Sequence, residues 1–257
     1  MTDHVHHSAA AGYKTAADTY VKGRPDYPPQ VSEWLTATLG LDGHKTVIDL
    51  GAGTGKFTGR LVATGAQVIA VEPVAQMLEK LSDAWPDVLA VSGTATDLPL
   101  PDASVDVVIC AQAFHWFASS EALTEIARVL KPGGKLGLIW NLRDTQVSWV
   151  PKLDAIVNAL EGDTPRYYTG VWRTAFPHPA FAPLQVERFH HSHTGSPEDV
   201  IFNRVRSTSF IAALPDMRRA QVDEQIRALI AAEPELRGRD VVTVPYETAA
   251  FVAVKKG

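Results

Sequence analysis

A glycine-rich turn that directly follows a short apolar segment constrains the fold of this chain more than any other feature of its sequence. Residues 47–50 are mostly apolar and predict a buried strand, and glycines follow at positions 51, 53 and 55. Glycine lets the backbone approach a ligand closely, and a following helix would offer free N–H groups at its N-terminus. Residues 47–57 therefore predict a nucleotide-binding turn between a strand and a helix.

The spacing of the glycines separates the kinds of nucleotide that such a turn can bind. A phosphate-binding P-loop requires glycine at position 50 and Ser or Thr at position 57, but Leu50 and Phe57 stand there. A dinucleotide site favours a third glycine at position 56, which is Lys56. Asp49 precedes the first glycine by two residues, and its carboxylate would repel a phosphate and attract an ammonium group.

Asp49 followed by glycines at alternate positions resembles motif I of the class I S-adenosylmethionine-dependent methyltransferases, in which the turn wraps the methionine part of the cofactor. A second acidic residue, Glu72, ends the next predicted strand about 20 residues further on, where a carboxylate can accept hydrogen bonds from ribose hydroxyls. The resemblance implies that Asp49 pairs with the ammonium group of S-adenosylmethionine. A glycine turn that only closes a tight strand–helix junction is the structural alternative.

The chain alternates predicted strands and helices over residues 45–141. Repeated strand–helix–strand units form right-handed crossovers and a parallel sheet, whose ligands bind at the carboxyl ends of the strands. We expect an α/β fold with a Rossmann-like, doubly wound, mostly parallel seven-stranded sheet and an antiparallel final strand. An N-terminal lid and helix segment is predicted for residues 1–40 and a methyltransferase domain for 41–257, with a cap insertion after strand 5 at about 143–181.

Residues 131–134 and the C-terminal half of the chain carry weaker local patterns. Lys-Pro-Gly-Gly at 131–134 predicts a turn, and residues 241–254 predict a final strand pair or hairpin, with Pro245 at a bulge or an edge. Three histidines between positions 190 and 193 would alternate faces on a strand, and no acidic residue lies close to them in sequence. We therefore assign no metal site.

Composition narrows the classes of partner. The chain has 257 residues with a net charge of −5, and no run of basic residues exceeds a pair, which disfavours nucleic acid and membrane surfaces. Its single cysteine, Cys110, excludes an internal disulfide. The N-terminus lacks the apolar core of a signal peptide, so we expect a cytoplasmic protein, either a monomer or a homodimer.

Three further segments resemble small-molecule methyltransferases of the type 11 domain, akin to trans-aconitate methyltransferase. These are the entry segment 20–28, which in such enzymes helps to cover the cofactor, the pair His115-Trp116 after the fourth predicted strand, and Leu-Lys-Pro-Gly-Gly at 130–134. Neither the Asn/Asp-Pro-Pro-aromatic sequence of nitrogen methylation nor the Pro-Cys of cytosine methylation stands at that place. The resemblance implies direct methyl transfer to a small molecule, with an oxygen, such as that of a carboxylate, as the favoured acceptor.

His115 has two possible roles at this point. Its ordinary pKa would let it act as a general base, but methyl transfer to a carboxylate needs no base, so it could instead form a wall of the pocket. A non-catalytic S-adenosylmethionine-binding protein and, with less support, an NAD(P)-dependent oxidoreductase remain as alternative functions.

The resemblance assigns the candidate residues to three groups. The predicted cofactor-binding residues are Tyr20, Arg24, Asp49, Gly51, Ala52, Gly53, Gly55, Glu72, Pro73, Thr94, Ala95 and Gln112. Thr94 stands where many relatives carry an acid that holds the adenine amino group. His115 is the candidate catalytic residue, and the predicted substrate-binding residues are Trp116, Arg143, Tyr168 and Arg206.

Overall fold

Seven strands form one sheet in the computed structural model, which describes residues 23–257. The strands are β1 (Thr46–Leu50), β2 (Gln67–Val71), β3 (Leu89–Val91), β4 (Val105–Ala111), β5 (Leu130–Arg143), β6 (Gln185–Gly195) and β7 (Val242–Val254). Their spatial order is β3-β2-β1-β4-β5-β7-β6. Strands β1 to β5 pair in parallel, and β7 is antiparallel to both β5 and β6. The predicted fold class is confirmed.

Helices connect the strands on both faces of the sheet. They are α1 (Gln30–Glu33), α2 (Thr58–Val62), α3 (Ala75–Ala84), α4 (Ser120–Val129), α5 (Val150–Asn158), α6 (Arg204–Arg206), α7 (Ser209–Ala212) and α8 (Asp216–Ala232). Single π-helical turns at Trp34–Thr38 and Glu198–Asn203 extend α1 and precede α6, and 3-10 turns lie at Phe114–Trp116 and Val171–Ala175.

The central strands are buried on both faces, as their nearly continuous apolar sequences predict. Val47 and Val107 face one core cluster, which includes Trp34 and Leu35 of the π-helical turn. The opposite face packs against α4, whose first turn is capped by the Ser119 hydroxyl, which accepts a hydrogen bond from the N–H of Ala122 at 3.0 Å. The packed central strands therefore hold the sheet in place, and the loops at the strand ends can form a site.

Three local predictions differ from the structure. Residues 131–134 lie within β5 as an irregularity, where the register with β4 shifts between Val105 and Val107. The helix after the glycines begins only at Thr58. The C-terminal residues form one internal strand, β7, and Pro245 is tolerated because it lies one residue beyond the last β5 partner, Tyr246 opposite Arg143.

A third core cluster lies outside the sheet's two main layers. It joins α5 of the predicted cap to α8, to the π-helical turn before α6 and to the first half of β7. Arg143 and Asp154 form a buried ion pair at its base, with Nε donating to Oδ1 at 2.7 Å. This cluster fixes the cap and the segment that follows β6 in one orientation. Within residues 23–257, every helix is too short or too polar to cross a bilayer.

Candidate active site

A cavity of about 800 Å³ opens at the carboxyl ends of the parallel strands. Asp49 of β1, Ala111 of β4 and Asn141 of β5 contribute to its floor, and Glu72 follows β2. Residues 161–166 of the cap close over it. Parallel strands place ligand sites at this edge, so the cavity is the candidate active site.

The glycine turn has backbone dihedral angles that glycine adopts more readily than other residues. Gly51, Gly53 and Gly55 all have positive φ, at 70°, 58° and 81°. A Cβ atom at Gly51 would lie 2.8 Å from Cβ of Ala113, whereas one at Gly53 would meet nothing closer than 3.9 Å. Gly51 and Gly53 line the cavity, and Gly53 leaves its backbone open to a ligand.

Gly55 has a different role from the other two. It lies off the cavity wall, and an added Cβ would be 2.8 Å from Cδ1 of Trp85 and 3.1 Å from Cγ of Leu81. The indole N–H of Trp85 donates to the Gly55 carbonyl at 3.0 Å. Trp85 therefore holds the end of the turn from outside the cavity, and no local sequence pattern predicts this contact.

Asp49 is fully buried at the end of β1. Its Oδ2 accepts a hydrogen bond from the Thr58 hydroxyl at 2.7 Å, and its Oδ1 has no hydrogen-bond partner among the described residues. Burial raises the pKa of this carboxyl, the hydrogen bond from Thr58 opposes the rise and the nearby Glu72 carboxylate adds to it, for a pKa of about 7. A buried oxygen without a partner beside an open turn fits the ammonium group of the predicted cofactor.

Glu72 connects the turn to the end of β2. Its Oε2 accepts from the N–H of Gly53 at 2.9 Å, and its Oε1 accepts from the N–H of Val74 at 3.0 Å. Burial raises the pKa of Glu72 despite these two bonds. Each carboxylate oxygen retains further acceptor capacity, so the predicted contact with ribose hydroxyls is compatible with the observed bonds.

The loops after β3 and β4 complete this half of the cavity. Thr94 and Ala95 lie on the wall, and the backbone of Thr94 pairs with that of Asp97, with both N–H to O distances at 3.3 Å. Gln112 has a φ of 59°, a strained value for a residue other than glycine. Its N–H donates to the carbonyl of Ile139 at 2.8 Å. Strain of this kind is typical of functional loops.

His115 lies on the cavity wall with its ring orientation fixed by a neighbour. The indole Nε1–H of Trp140 donates to Nδ1 of His115 at 3.1 Å, so the neutral ring carries its proton on Nε2. Burial, together with the charges of Arg166 and Arg24, lowers the pKa of His115 to about 3. The ring is therefore neutral near pH 7 and presents a hydrogen-bond donor.

The structure brings most of the predicted residues together. Those on the cavity wall are Arg24, Asp49, Gly51, Ala52, Gly53, Glu72, Pro73, Thr94, Ala95, Gln112, His115 and Trp116. Tyr20 lies outside the described residues.

Four predicted residues lie away from the wall of the cavity, each for a physical reason. Gly55 packs against Trp85. Arg143 is buried in its ion pair with Asp154. Tyr168 is 45% exposed on the cap. Arg206 points to the surface, where it pairs with Asp223 at 2.6 Å and with Glu198.

Sequence reasoning missed three cations on the wall, Lys56, Arg166 and Arg204. Lys56 directly follows the glycine turn, and its Nζ donates to the carbonyl of Arg24 at 2.8 Å. The position of Lys56 could have marked it, whereas Arg166 and Arg204 reach the cavity only through the packing of the cap and of the segment after β6.

The strand order, the open glycine turn and two buried carboxylates at the ends of β1 and β2 together define a class I S-adenosylmethionine-dependent methyltransferase. Residues 48–138 match the family described as "Methyltransferase domain".

Relatives place the whole chain in the same family. An uncharacterized methyltransferase-like protein of Schizosaccharomyces pombe is 38% identical over 245 residues, which cover 95% of each chain. An uncharacterized methyltransferase of Mycobacterium tuberculosis is 39% identical over 241 residues and 94% of each chain. The chain belongs to the S-adenosylmethionine-dependent methyltransferases and is an enzyme of that family.

Solved structures agree on the fold. The YcgJ protein of Bacillus subtilis superimposes with a TM-score of 0.59 at 21% identity, covering 89% of this chain and 99% of that one. A putative methyltransferase of Bacillus halodurans gives a TM-score of 0.60 at 18% identity, over 89% and 100% of the two chains. At these identities the likeness supports the architecture alone.

Proposed function

We propose that this chain methylates an oxygen of a small-molecule acceptor and releases S-adenosylhomocysteine. The observation that carries the proposal is the unpartnered, buried Oδ1 of Asp49 beside the open backbone of Gly53, inside a cavity that is also lined by residues 161–166 of the cap. A cofactor with an ammonium group fits the first feature, and an enclosed acceptor fits the second.

Five wall residues would hold the cofactor. Asp49 would pair with its ammonium group, Gly51 and Gly53 would admit its methionine part, and Glu72 would accept from the ribose hydroxyls. Thr94 would lie beside the adenine. When bound, S-adenosylmethionine supplies a methyl group on a sulfonium, which the acceptor oxygen takes in one displacement as the carbon–sulfur bond breaks and its electron pair returns to sulfur.

His115 acts in this proposal as a hydrogen-bond donor and not as a general base. A base must accept a proton, but Nδ1 is occupied by the Trp140 donor and Nε2 already carries hydrogen. Acceptors that are already ionised, such as carboxylates, need no base, only orientation and exclusion of water. His115→Gln keeps a side-chain donor, so we expect turnover to fall less than about tenfold. A loss of a hundredfold or more, with a changed pH–rate profile, would restore the role as base.

An oxygen acceptor has partial support from a relative. The malonyl-[acyl-carrier protein] O-methyltransferase of Methylococcus capsulatus is 42% identical over 96 residues, or 35% of each chain. That protein is an O-methyltransferase by name. The arginines on the wall of this cavity suit an acidic acceptor, which favours a carboxylate oxygen.

Calorimetric titration with S-adenosylhomocysteine, with NAD as a parallel ligand, tests the cofactor assignment. We expect micromolar binding of the first and none of the second, as the glycine spacing requires. Binding of NAD alone would overturn the proposal. Turnover of S-adenosylmethionine with a panel of small acids and alcohols then separates an enzyme with an acceptor of this class from one whose acceptor belongs to another class.

A further inference from the structure

A group of cations lies close together on the wall of the cavity. Arg204 lies on the wall together with Lys56 and Arg24. The three are held by local bonds: Lys56 Nζ donates to the carbonyl of Arg24 at 2.8 Å, and an Arg24 guanidinium N–H donates to the carbonyl of Ser207 at 3.1 Å. Ser207 lies three residues beyond Arg204. Like charges are thus fixed close together beside an open space.

The pKa values of Lys56 and Arg204 reflect the neighbouring positive charges. Burial and the charges of Arg24 and Arg204 lower the pKa of Lys56 to about 8, against the opposing effect of Asp26. Burial lowers the pKa of Arg204 to about 10, and the charges of Arg24 and Arg143 act in the same direction. An anion bound among these groups would relieve the repulsion.

Nearby carboxylates do not neutralise Arg204. Its one side-chain hydrogen bond among the described residues is to the Thr208 hydroxyl, from Nη1 at 3.3 Å, and no acid of residues 23–257 forms an ion pair with it. Asp26 pairs instead with Arg60 at 2.9 Å and is largely exposed. Glu161 pairs with Arg166 at 3.3 Å. Arg204 therefore keeps donors available to a ligand.

We propose that Arg204, assisted by Lys56, binds a carboxylate group of the methyl acceptor and so selects acidic acceptors. This inference rests on the proposed function and names the substrate class of the same cavity. Arg204 comes from the segment that follows β6, which packs with the cap through the third core cluster and also contacts Arg24 through the carbonyl of Ser207. Guanidinium groups bind carboxylates with two parallel hydrogen bonds, which gives both affinity and orientation.

The chain supplies a matched control two residues away. Arg206 has the same side chain on the same helix, but it lies off the cavity and is paired with Asp223 and Glu198. Arg204→Gln and Arg206→Gln remove the same charge from the protein. Arg204→Lys keeps the charge at the cavity and tests whether charge alone restores binding.

The experiment titrates each protein, loaded with S-adenosylhomocysteine, with succinate, glutarate and adipate and with their uncharged diamides. We expect at least one diacid to bind the wild type and the Arg206→Gln variant, with at least about tenfold weaker binding to Arg204→Gln and partial recovery in Arg204→Lys. The diamides should not bind to any of the proteins. Equal binding of diacids to wild type and Arg204→Gln, equal binding of diamides and diacids, or no binding of any diacid to the wild type would overturn the inference.

A second arm distinguishes the acceptor from the cofactor, whose methionine part also carries a carboxylate. S-adenosylhomocysteine and 5′-methylthioadenosine, which lacks the amino-acid group, are titrated into unloaded wild type and Arg204→Gln. Unchanged affinity for both in the variant supports the acceptor assignment. Weakened binding of S-adenosylhomocysteine alone would assign Arg204 to the cofactor and overturn the proposal. Failure of the wild type to bind S-adenosylhomocysteine would instead reject the proposed function.

Discussion

Two groups of residues on the cavity wall are built in different ways. In the group formed by the turn after β1 and the end of β2, buried carboxylates and open backbone dominate, as in Asp49, Gly53 and Glu72. In the other group, cationic side chains from the cap and from the segment after β6 dominate, as in Arg166 and Arg204. In the proposed function, the first group binds the ammonium group and hydroxyls of the cofactor, and the second binds an anionic acceptor.

The two groups of residues also differ in the contacts that hold them in place. The turn depends on backbone geometry and short-range contacts, with Trp85 donating to Gly55 and Glu72 accepting from Gly53. The position of the cationic group depends on a separate hydrophobic cluster, which joins residues that are far apart in the chain. Changes at the turn should therefore affect cofactor binding, and changes at the cap should affect the acceptor.

Asp49→Asn should give the largest effect. It removes the charge that would pair with the cofactor's ammonium group while keeping the shape of the side chain. We expect affinity for S-adenosylhomocysteine to fall on the order of a hundredfold, as for the loss of one partner of a buried charge pair. Calorimetry measures it, and a melting curve confirms that the variant folds. Unchanged affinity would contradict the assignment of the turn.

Gly55→Ala should destabilise the fold through a contact outside the cavity. The position combines a φ of 81° with a Cβ that would lie 2.8 Å from Trp85. Gly133 is the control, because it has a φ of 73° but no atom within 4 Å of an added Cβ. Chemical denaturation should show a loss of roughly 1 kcal/mol in the free energy of unfolding for Gly133→Ala and about 2–4 kcal/mol for Gly55→Ala. Equal losses would show that Trp85 yields to the new methyl group.

The pH dependence of cofactor binding follows from the raised pKa of Asp49, at about 7 in the free protein. Burial favours the neutral carboxyl in the folded protein. The stability that this group contributes to the fold is therefore fully present below its unfolded pKa and is lost as pH rises through 7. Pairing with an ammonium group requires the ionised form. Affinity for S-adenosylhomocysteine should therefore rise up to about tenfold per unit below pH 7 and level off above it. The Asp49→Asn variant should lack this rise.

Tyr168→Phe should have the smallest effect. Tyr168 lies on the cap, off the cavity wall and 45% exposed, but its hydroxyl end is buried near Arg143, and this burial raises its pKa. We expect both cofactor affinity and the KM of an identified acceptor to change less than about twofold, because the substitution removes only a hydroxyl that lies off the cavity wall. A larger change in KM with unchanged cofactor affinity would show that the cap moves to bring this hydroxyl to the acceptor.

Local patterns predicted much of the fold and of the turn. The alternation of apolar strands and helices predicted the parallel sheet, and the glycines predicted a turn directly after the first strand. Patterns failed where long-range pairing decides. The antiparallel strand β7 inserts between β5 and β6, so a segment that reads as a hairpin becomes one internal strand.

The arginines show the same limit within the site. Sequence reasoning selected Arg206 from the segment after β6, whereas the structure places Arg204 on the cavity wall and gives Arg206 acidic partners at the surface. Side chains two positions apart on a helix point in directions that differ by about 200°. Which of the two meets the cavity therefore depends on how the segment packs. The His115 ring shows it too, because only the packing of Trp140 fixes which nitrogen carries the proton.

The sequence by itself determined the strand, the glycine turn and the two carboxylates, because these depend on neighbours within a few residues and on the fixed geometry of a parallel strand–helix unit. Only the tertiary structure decided which cations line the cavity, which histidine nitrogen is protonated and which glycine serves packing. Those properties arise from contacts between residues that are 25 to more than 100 positions apart, such as Trp140 with His115 and Arg24 with Ser207. No local pattern encodes such contacts.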